Sequence, residues 1–223
     1  MTILTEALIE RHFPSPHDDG RTRETELPAD ECDAWRERFL AQAQASGSDV
    51  WMFSYGSLLW DGEVDTPETR TVVVHGWHRR FCLLQWAWRG DLDNPCLMLA
   101  LDRGGCCEGV VYRVSGPNPA EALRTVWDRE MNGDGYRPRW VTARSAEGPV
   151  RALTFVINRR GERYAGRLPD EDTARYIATA CGSTGACADY LRRTVRSLEK
   201  LELRDRHLHR LESLVAENMG VNT

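Results

Sequence analysis

Two short segments of this chain carry residue types and spacing that could do chemistry. The first is Phe53-Ser54-Tyr55-Gly56-Ser57-Leu58, where a short apolar run ends in a Gly-Ser pair. Glycine at such a corner allows a close approach of the backbone or a positive φ. Successive N–H groups there can form an anion-binding concavity. The alternative, which composition alone favours, is an ordinary corner between a strand and a loop.

The second segment surrounds Glu130, near the C-terminal end of a predicted helix, where the helix dipole disfavours an acid. Its neighbours Trp127 and Met131 are apolar, so we expect that face of the helix to be buried. Burial would raise the pKa of the carboxyl group, and a general base that works near neutrality needs such a raised pKa. The alternative is a solvated acid paired with Arg129 or Arg124.

Other catalytic chemistries have little support in the residues. His75 and His78 are three apart on a predicted strand, which points them to opposite faces, and there is no H-E-x-x-H motif. Glycine-rich phosphate loops of the G-x-G-x-x-G and G-x-x-x-x-G-K-[ST] types are also missing from the sequence. Lys200 is the one lysine, which disfavours Schiff-base chemistry. The sequence therefore predicts neither a metal nor a cofactor.

The elements that must position these segments can be read from periodicity and turn residues. A leader at 1–48 contains helices at 6–13 and 29–45, and one domain follows at 49–223. A hairpin is predicted at Gly104-Gly105. Strands are predicted at 50–55, 71–77, 79–86, 96–102, 108–114, 140–143 and 150–158, and further helices at 120–131, 170–181, 186–201 and 205–218. This order favours an α+β fold with a mainly antiparallel or closed sheet and a helical C-terminal part.

Composition excludes several classes of protein. The 223 residues are 41% hydrophobic and 28% charged, as in ordinary globular proteins. A formal net charge of −5 argues against nucleic-acid binding. Of the 29 Lys and Arg residues, 28 are arginine. No apolar run approaches the roughly 18 residues of a membrane helix, and the N-terminus lacks the features of a signal peptide.

Seven cysteines without regular spacing do not resemble an extracellular disulfide framework. They indicate free thiols in a reducing compartment, so a cytoplasmic location is predicted. Whether the adjacent Cys106 and Cys107 have a redox role is left open. The oligomeric state is also open, and a monomer is consistent with the sequence.

Taken in order, a set of segments resembles the ChaC family, the glutathione-specific γ-glutamylcyclotransferases. The set covers roughly residues 50–215, and one departure is Phe53-Ser54 where Phe-Gly is common. The segments are Trp51–Trp60, Gly76–Cys82, Arg89-Gly90, Asn94-Pro95, Gly109–Arg113, Trp127–Met131, Gly135-Tyr136, Ala152–Val156, Ala180–Gly182 and Asp189–Leu191. The family does not require the leader.

The resemblance implies a small barrel flanked by helices and the cleavage of glutathione to 5-oxoproline and cysteinylglycine, without a metal or cofactor. It implies Glu130 as the general base. The backbone amides of Tyr55, Gly56, Ser57 and Leu58 would hold either the oxyanion or the substrate's α-carboxylate.

Four further residues are candidates for substrate binding under the same resemblance. Arg79 and Arg80 could hold the carboxylates of glutathione, with at most one of them facing the site because both lie on one strand. Tyr136 and Tyr190 could supply hydroxyl groups. Two alternatives remain: a cyclotransferase for other γ-glutamyl amino acids or amines, and a non-catalytic regulatory protein on the same scaffold.

Overall fold

A computed structural model describes residues 4–17, 20–21, 23, 27–45, 50–60, 68–114 and 119–220, without the side chains at 43–45 and 119–122. The strands are β1 Val50–Ser54, β2 Thr69–Gln85, β3 Cys96–Val114, β4 Tyr136–Ser145 and β5 Gly148–Ile157. The helices are α1 Glu6–His12, α2 Ala29–Ala45, α3 Pro119–Glu130, α4 Asp170–Thr179, α5 Cys187–Lys200 and α6 Arg206–Asn218. Two-residue strands at Cys181–Gly182 and Gly185–Ala186, β6 and β7, pair with each other.

The five longer strands form a closed barrel in the order β1-β3-β2-β4-β5. Pairing is antiparallel between β1 and β3, between β2 and β4, and between β4 and β5, whereas β1 and β3 each pair with β5 in parallel. The predicted α+β class, with a mainly antiparallel sheet closing into a small barrel and a helical C-terminal part, is confirmed.

The predicted hairpin at Gly104-Gly105 is wrong, because β3 runs through both glycines as one strand. Their φ angles are 101° and 67°, a left-handed conformation that glycine adopts without steric cost. Such residues within a strand bend and twist it without reversing its direction. The two strands predicted at 71–77 and 79–86 are likewise one strand, β2, with Gly76 at φ 83°.

The chain divides into two units. The barrel unit contains the described residues of 25–79 and 100–162, and the helical unit contains those of 1–24, 80–99 and 163–223. The leader thus contributes α1 to the helical unit and α2 to the barrel unit. The family-like region from residue 50 onwards also contributes to both units, so the proposed division at residues 48 and 49 stays a prediction.

In the barrel unit, β1 is buried along its whole length because it pairs with strands on both sides. Glycine at 109 allows β3 to approach the end of β1, since a Cβ there would overlap the Ser54 carbonyl oxygen and the Phe53 ring. The main core cluster consists of Val50, Met52, Tyr112, Val114, Leu123, Val126, Trp127, Met131, Leu153 and Phe155.

In the helical unit, α4, α5 and α6 pack against one another, and α1 of the leader packs on α5. Arg192 Nη2 on α5 lies 3.4 Å from Glu6 Oε1 on α1. The predicted helices at 170–181, 186–201 and 205–218 are confirmed within two residues at either end. Within the described ranges, no helix is both long and apolar enough to cross a membrane.

An ionisable group is buried in this helical packing. Glu212 of α6 is 2% exposed, and its Oε2 lies 3.5 Å from His209 Nδ1 on the same helix. Burial, and next the charge of Glu199, raise the pKa of Glu212 from 4.5 to about 7, against the opposing charges of Arg196 and Arg192 on α5. The folded protein therefore holds a proton on Glu212 that the unfolded chain releases near pH 4.5.

The resulting prediction concerns stability against pH. Between the unfolded and folded pKa values the folded state binds more protons, so the free energy of unfolding falls as pH rises. Wild type should lose up to about 3 kcal/mol between about pH 4.5 and 7, whereas Glu212→Gln should lack that loss. Urea unfolding across this range measures the difference. The exposed Glu217→Gln is the control and should follow wild type; parallel curves for wild type and Glu212→Gln would contradict the burial effect.

Candidate active site

The turn after β1 is held in place by the barrel. Tyr55 donates a hydrogen bond from its hydroxyl group to the Phe155 carbonyl oxygen at 2.8 Å. Thr154 donates to the Phe53 carbonyl oxygen at 3.0 Å, which fixes the end of β1 against β5. Residues Ser57–Leu59 then form a 3₁₀ turn. Since the first N–H groups of a helical turn have no acceptor within it, the amides that open this turn are suited to bind an anion.

Gly56 precedes the turn with φ −138° and ψ −130°. The positive φ considered as one role for this glycine is therefore not adopted. Leu58 packs against the main core cluster, so the turn is anchored on both sides: by Leu58 in the core and by Tyr55 on β5.

Helix α3 brings Glu130 to the same region. Leu123, Val126 and Trp127 bury one face of α3 in the core, and Glu130 is the last residue of the helix. The Glu130 side chain is 12% exposed, so its predicted burial is confirmed and the alternative of a solvated acid is wrong. The raised pKa of Glu130 stays a prediction.

Arg129 connects the two segments. Its Nη2 donates to Ser57 Oγ at 3.0 Å, and its Nε lies 3.5 Å from Glu130 Oε1. One guanidinium group therefore contacts both the turn and the carboxylate. The pairing of Glu130 with Arg129, considered for a surface acid, occurs here in a mostly buried position, whereas Arg124 pairs with Asp128 instead.

Tyr112 of β3 is a residue of this site to which the sequence assigned no role. Burial, and next the negative charge of Glu130, raise the pKa of its phenol well above the ordinary value. Its hydroxyl group contacts Met52 Sδ at 3.6 Å. A neutral phenol therefore lies within electrostatic reach of the carboxylate at neutral pH. Tyr112 lies in the family-like segment Gly109–Arg113, which was the one indication in the sequence that it belongs to the site. A tyrosine on an apolar strand can equally be a core residue, so this indication was not sufficient.

The remaining predicted residues are distributed over both units. Arg79 in the barrel unit is 6% exposed and donates to the Glu108 carbonyl oxygen, and Tyr136 packs against the main core cluster. Arg80 and Tyr190 belong to the helical unit, where the Tyr190 ring is buried against Phe81 with ring centroids 6.1 Å apart. Substrate binding by these four residues stays a prediction.

The leader helix α2 supports α3 just before Glu130. Trp127 Nε1 donates to Cys32 Sγ at 3.2 Å, and Arg36 Nη1 lies 3.3 Å from Asp128 Oδ1. The centroid of the Phe39 ring lies 5.7 Å from the ring centroid of Trp127 and 5.7 Å from that of Trp140. Burial raises the pKa of the Cys32 thiol, which keeps it protonated.

In the described ranges, no group of three or more His, Cys, Asp or Glu side chains has an arrangement that could hold a metal ion. The ionisable and polar groups at the site are instead one carboxylate, one guanidinium, hydroxyl groups and backbone amides. Such a set can remove a proton from a bound substrate and stabilise negative charge that develops next to it.

The sequence is similar to those of known proteins. The family model described as ChaC-like protein matches residues 50–218. The glutathione-specific γ-glutamylcyclotransferase of Escherichia coli is 37% identical over 174 residues, which are 76% of this chain and 75% of that protein. The glutathione-specific γ-glutamylcyclotransferase 1 of mouse is 30% identical over 193 residues, 78% of this chain and 84% of that one.

A solved structure has the same fold. The crystal structure of a γ-glutamylcyclotransferase specific to glutathione from yeast superposes with a TM-score of 0.70, at 20% identity, over 78% of this chain and 99% of that one. The barrel and its helices therefore have the γ-glutamylcyclotransferase fold. Because the family model covers residues 50–218, the chain belongs to the ChaC family, with the leader preceding the family region.

A prediction follows for the support that α2 gives to α3. Phe39→Ala removes a half-buried ring from between Trp127 and Trp140, and should lower the free energy of unfolding by about 2 kcal/mol, less than for a fully buried phenylalanine. Urea unfolding followed by tryptophan fluorescence measures this. Glu37→Ala, an exposed change on the same helix, should stay within about 0.5 kcal/mol of wild type. Equal stabilities of Phe39→Ala and Glu37→Ala would mean that α2 does not stabilise the barrel unit.

Proposed function

We propose that this chain is a γ-glutamylcyclotransferase that cleaves glutathione to 5-oxoproline and cysteinylglycine, with Glu130 as the general base. The observation that carries the proposal is the contact of Arg129 with both Ser57 and Glu130, because it unites the turn and the carboxylate. Membership of the ChaC family and the names of the E. coli and mouse relatives support the choice of substrate.

The substrate supplies both reacting groups. The α-amine of the γ-glutamyl residue attacks its own γ-carbonyl carbon and closes a five-membered lactam. The C–N bond to the cysteine nitrogen breaks, so that 5-oxoproline and cysteinylglycine leave. No water and no protein nucleophile enters the products. The main task of the protein is therefore to hold the glutamyl chain in its attacking conformer, which can lower a barrier by roughly 7–11 kcal/mol.

Glu130 manages the proton. The α-amine arrives as an ammonium group and becomes nucleophilic only after it loses a proton. Glu130 accepts that proton and passes it to the departing cysteine nitrogen. The attacking nitrogen loses a second proton as the lactam forms, and this proton follows the same route, so that cysteinylglycine leaves as an ammonium group and the carboxylate is regenerated in each turnover. Its mostly buried position limits access of water to the proton, and its negative charge helps to keep the Tyr112 phenol neutral.

The turn at Tyr55–Leu58 stabilises negative charge. As the amine attacks, the γ-carbonyl oxygen becomes an oxyanion that requires hydrogen-bond donors, and backbone amides at the start of a 3₁₀ turn are preorganised donors. The same amides could instead hold the α-carboxylate of the substrate. Arg129 fixes the distance between this turn and Glu130 in either case, so we assign it a positioning role.

The second carboxylate of glutathione, at its glycine end, needs a cation. We retain Arg79 and Arg80 as its candidate partners, and Tyr136 and Tyr190 as candidate hydroxyl donors, because guanidinium and hydroxyl groups suit a peptide carboxylate. We also place the enzyme in the cytoplasm, supported by seven cysteines that are all free in the structure. We take the protein to be a monomer.

Two alternatives can be separated from this function by measuring 5-oxoproline release from glutathione and from other γ-glutamyl compounds. A cyclotransferase for other γ-glutamyl compounds would release 5-oxoproline faster from γ-glutamyl amino acids than from glutathione. A non-catalytic regulatory protein on this scaffold would release none from either. A mostly buried carboxylate at a helix C-terminus is costly to keep without a use, which favours a catalytic protein.

The first prediction on activity concerns the base. Glu130→Gln keeps the shape of the side chain and removes its basicity, so kcat for 5-oxoproline release should fall about 10²- to 10⁴-fold. Chromatographic measurement of 5-oxoproline with purified protein and glutathione tests this. The control is Asp128→Asn, an exposed acid two residues earlier on α3, which should retain activity within about twofold. Unchanged turnover by Glu130→Gln would exclude Glu130 as the base.

The second prediction on activity concerns Arg129. Arg129→Gln breaks the contact between the turn and Glu130, so kcat/KM should fall at least about tenfold, with most of the loss in kcat because the binding groups remain. The control is Arg124→Gln, an exposed arginine on the same helix, which should behave like wild type. A loss of the same size in both variants would assign the effect to general charge rather than to positioning. Arg129→Lys should recover only part of the activity, since lysine cannot make both contacts as a planar fork.

A further inference from the structure

A polar cavity lies in the barrel unit, lined by residues other than those of the candidate active site. It has a volume of about 450 Å³ and is walled by α2, β2, β3, β4 and the end of β5. That volume is in the range of sites that bind small molecules. Its arginines, which define the arginine cavity, are Arg38, Arg103, Arg137, Arg139, Arg159 and Arg160. No acidic side chain is among the described residues that line it, and none of the residues assigned above to the reaction lines it.

One of these cations is neutralised within the protein. Arg159 contacts both carboxylate oxygens of buried Asp102, at 2.7 and 3.3 Å. The other five guanidinium groups form no ion pair in the described part of the chain. Five like charges around one small cavity repel one another, and a bound anion would relieve that repulsion. The accumulation is notable in a chain whose net charge is −5.

Arg137 provides a second, independent indication of a ligand. Its guanidinium group lies over the Trp35 ring, 4.6 Å from the centroid. Its Nη1 is buried and has no hydrogen-bond partner among the described residues. A buried donor without an acceptor is unfavourable, and an anionic oxygen in the cavity would supply the acceptor.

We propose that the arginine cavity binds a small organic anion that carries two or more phosphate or carboxylate groups. The planar fork of arginine matches both groups in a bidentate manner, and five cations without an acidic partner exceed what one such group needs. The leader forms one wall through Trp35, Arg38 and Phe39, so the site depends on a segment outside the family-matched region. Since none of the residues assigned to the reaction lines the cavity, we place this site apart from the proposed catalytic residues.

Calorimetric titration with pyrophosphate, ADP and citrate tests the site in the full-length protein. At least one probe should bind with a stoichiometry of one, and more weakly as salt is raised, because counter-ions screen such contacts. Pyrophosphate and ADP without citrate would identify a phosphate ligand, whereas citrate alone would identify a polycarboxylate. No binding of any probe at concentrations of about 5 mM, which corresponds to a binding free energy weaker than about 3 kcal/mol, would overturn the proposal.

Substitutions locate the binding. Arg137→Gln and Arg139→Gln should each weaken the probe at least about tenfold, since each removes charge-assisted hydrogen bonds. Arg137→Lys keeps the charge but loses the fork, and should bind more weakly than wild type. The control is Arg144→Gln, an exposed arginine on the same strand β4, which should match wild type. Retained 5-oxoproline release, or unchanged thermal unfolding, shows that a variant is folded. Equal weakening in Arg144→Gln, or binding of nucleic acid in place of the three probes, would overturn the proposal.

Discussion

The contact of Arg129 with Ser57 Oγ and Glu130 Oε1 is the interaction on which the catalytic account depends. The turn follows a barrel strand, and Glu130 ends a helix some seventy residues later in the chain. A base and a set of anion-binding amides can act on one small substrate only if their separation is fixed. The guanidinium group bridges them, and the Tyr55 hydroxyl group and the buried Trp127 hold the two sides against the same core.

The chemistry requires little else from the protein. A substrate that contains both its nucleophile and its electrophile needs a defined conformation, one proton acceptor and donors for a transient negative charge. This explains why the site has one mostly buried carboxylate, a neutral phenol and a turn. The support of α3 by α2 adds to this scaffold a part of the chain that lies before the family region.

Much of the fold could be predicted because local signals specify it. The helices have clear apolar periodicity and punctuation, and their predicted bounds agree closely with α1 to α6. The strand bounds agree less well: Gly104-Gly105 indicated a change of backbone direction, but a glycine pair does not distinguish a turn from a bend within a strand. Closure of the barrel depends on pairings between distant strands, such as β1 with β5, which no local pattern encodes.

The site was predictable to the same degree. Glu130 and the Tyr55–Leu58 turn could be proposed because their segments resemble those of the ChaC family, whereas their composition alone favoured a surface acid and an ordinary corner. Arg129 and Tyr112 could not be assigned from the sequence. An arginine that bridges two segments looks the same in a sequence as one in a surface ion pair. A tyrosine beside a carboxylate likewise looks the same as a tyrosine of the core. The arginine cavity was hidden for a similar reason: its arginines come from α2, β3, β4 and the segment after β5, and 28 arginines in the chain gave no means to select them.

The central claim is that the substrate's own amine, not water, cleaves the γ-glutamyl bond. Turnover of glutathione in water enriched in ¹⁸O, followed by mass spectrometry of the products, tests it most directly. The account predicts cysteinylglycine in equal amount with 5-oxoproline, and no ¹⁸O in the freshly formed 5-oxoproline. Release of glutamate carrying ¹⁸O, or no turnover of glutathione by the wild-type protein, would contradict it.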